Sequence, residues 1–259
     1  MPEALVLLLL TAVVAALIGT VASATGYGGF LLPAALVGII GMAPQAAVLH
    51  GLVASLLPGI LTVVLHLRRA RGAQVWPLAA WLSVGTLPGL VLAREVADRV
   101  DQAGLRLVLA AVVLVSAALI VVNQRIRTSA GDQPARARPR WVVPVSALGS
   151  GFAGGMATVF AGVGGPLVTL PVMLFLGLPL TTALIAAMIN AQFAAIAGIG
   201  LLSTRADLNP AILLTAMGAL AVGSYLGVAL HHRIAAARLV YPVAVASMAS
   251  AAWLFWSAL

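Results

Sequence analysis

Charged residues are scarce in this chain: only 8% of its 259 residues are Asp, Glu, Lys or Arg, whereas 63% are hydrophobic. A soluble domain of this length could not expose so much apolar surface without aggregating. Cysteine is absent altogether, which excludes disulfides, thiolate metal sites and cysteine nucleophiles. The composition therefore predicts an integral membrane protein.

The strict alternation of apolar and polar residues that marks a membrane β-barrel is also missing. The apolar runs are mostly long enough for helices that cross about 30 Å of hydrocarbon at about 1.5 Å per residue. We therefore expect an all-α integral membrane protein with about ten hydrophobic segments. Their expected ranges are 4–21, 27–40, 45–67, 75–93, 104–122, 141–160, a short run ending at 177, 180–202, 210–230 and 239–256.

Several functions are excluded by what the sequence does not contain. No charged side chain lies near the middle of a predicted segment, so neither a cation-binding carboxylate nor a conventional proton relay is expected. No Gly-x-x-x-x-Gly-Lys loop indicates direct use of ATP. No nucleophile–base pair or closely spaced metal-ligand set indicates an embedded enzyme, and no cofactor is expected. The net charge of +8 comes from arginines in short loops, which is typical of membrane orientation and not of nucleic-acid binding.

One glycine-rich stretch occurs twice. Gly26-Tyr27-Gly28-Gly29 returns 136 residues later as Gly162-Val163-Gly164-Gly165. A short apolar run follows each copy and ends at the same offset, on Gly41 and on Gly177. The spacing predicts a duplication with a first membrane repeat over 1–122, a basic cytoplasmic linker over 123–140 and a second membrane repeat over 141–259.

The number of crossings decides how the two repeats are related. Five crossings in each half is an odd number, so the second half would be inverted relative to the first. With the N-terminus outside, this arrangement places ten of the fourteen basic residues on the inside, as the positive-inside rule favours. If the two short segments are re-entrant, eight helices span and the halves are parallel, with nine basic residues inside. The charge count favours ten crossings, and eight remains the alternative.

The two glycine clusters are the candidate substrate site. Each precedes an unusually short segment, and the exposed N–H groups at a helix N-terminus carry about half a unit of positive charge that attracts anions. Interrupted short helices at corresponding places in two halves are also the best sequence pointer to a transport site. The alternative is that glycines merely let helices approach closely. That second interpretation fits Gly85-x-x-x-Gly89 and Gly223-x-x-x-Gly227, which we expect to be packing surfaces.

Polar side chains within the apolar segments complete the set of candidates. Asn190 and Gln192 are either substrate ligands or interhelical hydrogen-bonding groups. His50 is either a neutral buried histidine bonded to a backbone carbonyl or a proton-sensitive ligand. The candidate substrate-binding residues are Gly26, Tyr27, Gly28, Gly29, His50, Ser55, Gly162, Val163, Gly164, Gly165, Asn190 and Gln192, with Thr25 and Thr158 beside the clusters.

These motifs together resemble the TauE/SafE sulfite-exporter family of membrane transporters. The similarity extends from Leu17 to the C-terminus. It is clearest in four stretches: the run from Gly26 to Pro33, the run from Gly162 to Val168, and the two helix-ending motifs Gly41-Met42-Ala43-Pro44 and Gly177-Leu178-Pro179.

The resemblance implies a secondary transporter that moves a small sulfur-containing anion, such as sulfite or a sulfonate like sulfoacetate, across a bacterial inner membrane, commonly outward. Family members often carry a Thr-Ser pair early in the third and eighth segments. This chain has His50-Gly51 and Ala186-Ala187 there, so His50 could replace a missing hydroxyl donor. The expected partners are a small anion and membrane lipid, with a homodimer possible. An anion channel or, less favoured, an embedded enzyme are the alternative functions.

Overall fold

The computed structural model describes residues 2–25, 29, 31–69, 75–129, 139, 141–162, 166–204, 207–231, 245, 248–253 and 255–256. Within these ranges the regular structure is helical throughout, with no strand. The helices are α1 (Pro2–Thr25), α2 (Leu31–Ile40), α3 (Pro44–Arg69), α4 (Val75–Ala97), α5 (Gln102–Ser129), α6 (Val142–Ala161), α7 (Pro166–Phe175), α8 (Leu180–Leu202) and α9 (Pro210–His231). Residues 248–253 are helical as well.

The all-α membrane prediction is confirmed for the described residues. Six helices are long and apolar enough to cross a bilayer, so the chain is a multi-pass membrane protein. Their spanning portions are Leu5–Ala24, Pro44–Arg68, Val75–Ala97, Val142–Ala161, Thr181–Leu202 and Pro210–Ala229. The two short helices, α2 and α7, have ten residues each, or about 15 Å, which is half the thickness of the hydrocarbon core.

Several helix ends differ from the predicted ones, and α1 and α4 each continue four residues further than predicted, to Thr25 and to Ala97. Helix α2 begins at Leu31 and not at residue 27, and residues 26–28 lie outside the described part of the chain. Helix α5 continues to Ser129, seven residues into the expected linker, because its arginine- and glutamine-containing end holds no glycine or proline that would stop a helix. The remainder of that linker, residues 130–138 and 140, lies outside the described residues.

Glycines bring two pairs of helices into backbone contact. A Cβ on Gly85 would overlap the carbonyl oxygen of Leu148, and one on Gly89 would overlap that of Phe152. Residue numbers therefore rise together along α4 and α6, which run parallel. In the same way Gly223 and Gly227 of α9 meet the carbonyls of Ala16 and Thr20 of α1, so α1 and α9 are also parallel. The prediction that both Gly-x-x-x-Gly motifs are packing surfaces is confirmed.

Helices α3 and α8 cross in opposite directions. A Cβ on Gly198 would lie 3.2 Å from Leu52 Cδ1, and one on Gly59 would overlap the amide of Gln192. Moving along α3 from residue 52 to 59 thus means moving backward along α8 from residue 198 to 192. These four residues form what we call the α3–α8 crossing.

The remaining directions follow from links between the same helices. Helix α8 is parallel to α4, because Ser83 bonds to Asn190 and Gly198 lies near Leu90. The start of α3 adjoins the start of α9 through a hydrogen bond between Asn209 and His50. The last turns of α1 and the second half of α3 meet where Ser23 contacts Thr62. Consequently α1, α3 and α9 run one way, and α4, α6 and α8 run the other way.

Candidate functional site

The two short helices end in matching turns. Gly41 and Gly177 both have left-handed backbones, with φ of 70° and 75°, a conformation in which a side chain would be strained. The N–H groups of Gly177 and Leu178 bond back to the carbonyls of Leu174 and Met173, the pattern of a Schellman cap. The turn after α2 closes on Val37 and Leu36 in a similar way. Each short helix therefore has a fixed C-terminus and an N-terminus that directly follows a glycine cluster.

The start of α2 lies inside the helix bundle. Pro33, in the first turn of α2, is the neighbour that a Cβ on Gly51 would strike, at 2.7 Å. Gly51 is the eighth residue of α3, so this contact lies about 10 Å along α3 from its start. Gly162 reaches the same proline from the second half, with its Cβ position 2.9 Å from Pro33 Cγ. The structure thus brings the first residue of the second cluster to the beginning of the first short helix.

Gly29 and Gly162 are the residues of the two glycine clusters that the structure describes. Gly162 caps α6 with a left-handed φ of 64°, and its N–H bonds to the carbonyls of Ala157 and Thr158. Gly29 is exposed, has open space where a Cβ would stand, and accepts a hydrogen bond from the N–H of Leu32 at 3.3 Å. The other predicted cluster residues lie outside the described residues, namely Gly26, Tyr27, Gly28, Val163, Gly164 and Gly165.

Asn190 is fully buried in the middle of α8. Its Oδ1 accepts hydrogen bonds from the hydroxyls of Thr86 at 2.9 Å and Ser83 at 3.3 Å. Its Nδ2 has no partner among the described residues. An unpaired buried amide N–H costs about 1–3 kcal/mol, so a group that accepts a hydrogen bond from it would be favoured. In the flipped orientation Nδ2 would donate to the Thr86 and Ser83 hydroxyls, and Oδ1 would be the atom without a partner among the described residues.

Thr86 connects the Asn190 side chain of α8 to α4 and α6. Its hydroxyl is fully buried and lies 2.9 Å from the carbonyl oxygen of Leu82 and 3.2 Å from that of Gly151. The hydroxyl has one proton for three acceptors, namely these two carbonyl oxygens and Asn190 Oδ1. The cluster therefore has fewer donors than acceptors. Thr86 thereby links α4, α6 and α8 at one point. Interhelical bonding, which was one of the two interpretations of Asn190, is present, and an unused donor is present as well.

Gln192 stands two residues further along α8, at the α3–α8 crossing. Its side-chain amide lies directly over Gly59 of α3, where any larger residue would collide with it. Its Oε1 is buried and has no hydrogen-bond partner within the part of the chain that the structure describes. One buried donor, Asn190 Nδ2, and one buried acceptor, Gln192 Oε1, therefore lack partners among the described residues of one membrane helix, which is expensive unless a ligand or water completes their bonding.

Other candidates are satisfied by their own helices. The hydroxyl of half-buried Ser55 donates to the Leu52 carbonyl at 3.0 Å, and that of fully buried Thr158 donates to the Gly154 carbonyl at 2.8 Å. Ser55 sits on α3 at the position that Asn190 occupies on α8, once the single residue missing before Pro179 is allowed for. The two halves therefore differ chemically at equivalent places.

His50 is bonded to the backbone through both ring nitrogens. It is 2% exposed, its Nδ1 lies 2.7 Å from the carbonyl of Ala46, and its Nε2 lies 2.9 Å from the N–H of Asn209. Nε2 must accept the Asn209 proton, so Nδ1 carries the ring proton and donates it to Ala46. The ring is thus a neutral link between α3 and the residue that precedes α9. This geometry corresponds to the first of the two interpretations of His50.

Sequence reasoning missed the partners of the polar residues. Ser83 and Thr86 were not among the candidates, although a hydroxyl directly beside a packing glycine of α4 could have suggested a role between helices. The contacts of Gly59 with Gln192 and of Asn209 with His50 could not be predicted either, because nothing in the sequence relates these residues before the helices are packed.

Comparison with known proteins shows a match to one family model. No curated protein and no solved structure matches the chain. The family described as sulfite exporter TauE/SafE matches residues 11–254, which includes both glycine clusters, both short helices and every described residue of the α3–α8 crossing. The family resemblance seen in the motifs is confirmed over nearly the whole length, and the chain belongs to the TauE/SafE sulfite-exporter family.

Proposed function

We propose that this protein is a secondary transporter that moves sulfite or a small organosulfonate such as sulfoacetate across the bacterial inner membrane, in the outward direction. Family membership over residues 11–254 is the observation that carries the proposal, since it indicates transport of sulfur anions such as sulfite across a membrane. The substrate, the direction and the membrane are our inference.

The anion is held between the N-termini of α2 and α7. Two features support this position. Both helices have ten residues, follow a glycine cluster and end at left-handed glycines 136 residues apart. The start of α2 lies part-way along α3 and adjoins Gly162, so the positive end of the α2 dipole points away from the end where α2 joins α3. Two facing helix N-termini would stabilise a small anion without a fixed cation.

The amides on α8 complete the shell in this proposal. The unused Nδ2 of Asn190 supplies a donor on the side of α8 that faces α4, and the side-chain amide of Gln192 supplies a second polar group on the side of α8 that faces α3. Sulfite and sulfonate oxygens accept several hydrogen bonds at once, as helix ends and amides can provide. We retain Ser55 as the equivalent contact from the first half and assign His50 to the link between α3 and α9.

The two halves form an inverted repeat with five crossings each. The directions of the helices support this topology, because α1, α3 and α4 each run opposite to the helix in the same place of the second half, namely α6, α8 and α9. Helices α1 and α3 run the same way, so the segment that contains α2 returns the chain across the membrane between them. Re-entrant short segments would instead leave α3 and α8 parallel, whereas their contacts at the crossing are antiparallel.

A ligand screen tests the substrate. The unfolding temperature of the purified protein is measured with sulfite, sulfate, thiosulfate, sulfoacetate, taurine and acetate, because a ligand at a hundred times its Kd stabilises the folded state by about 2.7 kcal/mol. Sulfite or a sulfonate should give the largest shift. Equal shifts with acetate and with every sulfur anion would contradict the proposal.

Counterflow and labelling test the mechanism and the topology. Proteoliposomes loaded with unlabelled sulfite should transiently accumulate labelled sulfite, which a channel does not do. Single cysteines at Asp98 and His231 can be labelled without background, since the chain has no cysteine of its own. An impermeant thiol reagent should reach Asp98→Cys from outside and His231→Cys from inside. Labelling of both from one side would rule out the inverted topology.

A further inference from the structure

Among the described glycines, the closest contacts between helices join the two halves of the chain. Gly85 and Gly89 of α4 rest on carbonyls of α6, while Gly223 and Gly227 of α9 rest on carbonyls of α1. The contact is reciprocal in the first pair, because Gly151 and Gly155 of α6 rest on the carbonyls of Leu82 and Thr86. Backbone-to-backbone contacts of this kind leave no side chain that could adjust, so sliding or separating either pair would remove close packing along several turns.

Interhelical hydrogen bonds group the same helices. On one side, Ser23 of α1 bonds to Thr62 of α3, and His50 of α3 bonds to the N–H of Asn209 before α9. On the other side, the Thr86 hydroxyl of α4 lies 3.2 Å from the Gly151 carbonyl of α6 and 2.9 Å from Asn190 Oδ1 of α8, and its single proton is shared between them. These bonds tie α1, α3 and α9 into what we call the first body, and α4, α6 and α8 into the second body.

The two bodies meet at the α3–α8 crossing through contacts of a different kind. Gly198 of α8 faces the Leu52 side chain of α3, with its Cβ position 3.2 Å from Leu52 Cδ1, and Gly59 of α3 faces the flexible amide of Gln192 of α8. Side-chain atoms can shift where backbone atoms cannot. The amide oxygen of Gln192 also has no partner among the described residues, so movement at this crossing breaks no hydrogen bond at that atom.

We propose that the units that move during transport are these two bodies, each built from helices of both halves, and not the two halves themselves. This inference rests on the proposed function, because only a transporter must alternate between two openings. Moving one half against the other would separate α1 from α9 and α4 from α6, and it would break their glycine contacts. Moving one body against the other keeps both glycine contacts. It shears the α3–α8 crossing together with the smaller packing of the start of α3 against α4 and α6, and packed side-chain interfaces of this kind are the ones that sliding motions use. The substrate then sits where the moving surfaces meet.

Distances between spin labels distinguish the two motions. Pairs of cysteines are introduced at exposed positions of the full-length protein in lipid nanodiscs and spin-labelled. The label-to-label distances are recorded with and without saturating sulfite, by continuous-wave electron paramagnetic resonance for the close pair and by double electron–electron resonance for the distant one. Leu17→Cys with Val222→Cys joins different halves within the first body. Leu17→Cys with Val84→Cys joins the two bodies within the first half. All three side chains are more than half exposed, so the labels fit without repacking.

If the two bodies are the moving units, sulfite shifts or narrows the distance distribution of the Leu17–Val84 pair and leaves that of the Leu17–Val222 pair unchanged. The opposite pattern would show that the halves move as units and would overturn the inference. Unchanged distributions in both pairs would overturn it too, provided that sulfite raises the unfolding temperature of the same labelled samples. If no sulfur anion raises that temperature, the proposed function itself fails, and the inference fails with it.

Discussion

Glycines have two different structural roles in this molecule, and the atoms around each glycine show which role it has. Around Gly85 and Gly223 a Cβ would overlap a carbonyl of the neighbouring helix, whereas beside Gly29 it would meet nothing within 4 Å. Gly41 and Gly177 form a third group, in which the left-handed backbone requires glycine, and at Gly41 nothing lies within 4 Å of the Cβ position. The packing glycines therefore hold the bundle together, and the glycines around the short helices shape their ends.

The largest effect is expected at the packing glycines. Gly85→Leu and Gly223→Leu would force α4 from α6 and α9 from α1, because the new side chain occupies the place of a backbone carbonyl. Overpacking a core costs about 1–3 kcal/mol and often more, so we expect these variants to be recovered poorly and to unfold at lower temperature. Gly218→Leu on α9 is the matched control, since nothing lies within 4 Å of its Cβ position. Equal unfolding temperatures for Gly223→Leu and Gly218→Leu would refute the packing role.

A moderate effect on folding and a larger one on transport are expected at Gly198. Its Cβ would stand 3.2 Å from Leu52 and 3.3 Å from Thr158, both side-chain contacts that can give way. Gly198→Leu should therefore remain folded while it wedges the α3–α8 crossing in one arrangement. Sulfite counterflow should fall at least about tenfold, the effect of a barrier change of about 1.4 kcal/mol. Full counterflow by the folded variant would argue that this crossing does not move.

The caps of the short helices should respond more weakly. An alanine at Gly41 or Gly177 must adopt the left-handed conformation, which costs roughly 1–2 kcal/mol. Gly41→Ala and Gly177→Ala should each lower the unfolding temperature modestly, although Gly41 has open space around it. The helical Gly218→Ala should go the other way, because alanine is favoured over glycine within a helix by about 1 kcal/mol. The comparison fails if all three changes have the same sign.

The smallest change in stability is expected at Gly29. Its position is exposed and unobstructed, so Gly29→Ala should unfold within a degree or two of the wild type, as surface substitutions usually do. A loss of stability as large as that of Gly177→Ala would mean that the first cluster serves to pack the bundle.

The sequence was informative wherever a feature is local. Helix α8 has the predicted bounds because Pro179 fixes its start and the Ser-Thr pair at 203–204 follows its last apolar turn. The packing role of Gly85 was also predictable, since spacing alone places both glycines of the motif on one face. Asn190 was recognised as a polar residue in an apolar helix, but its contacts with Ser83 and Thr86 depend on how α4 lies along α8. The link between His50 and Asn209 spans 159 residues, and only packing could reveal it.

The account depends most directly on the second glycine cluster as an anion site. The decisive measurement is the Kd of sulfite for the wild type, for Gly164→Leu and for Gly149→Leu, an α6 control whose Cβ position is open. The account predicts that Gly164→Leu stays folded and binds sulfite about tenfold to a hundredfold more weakly, as expected for losing one hydrogen bond to a charged group, while the control binds normally. If folded Gly164→Leu binds sulfite as tightly as the wild type, the cluster is not the site.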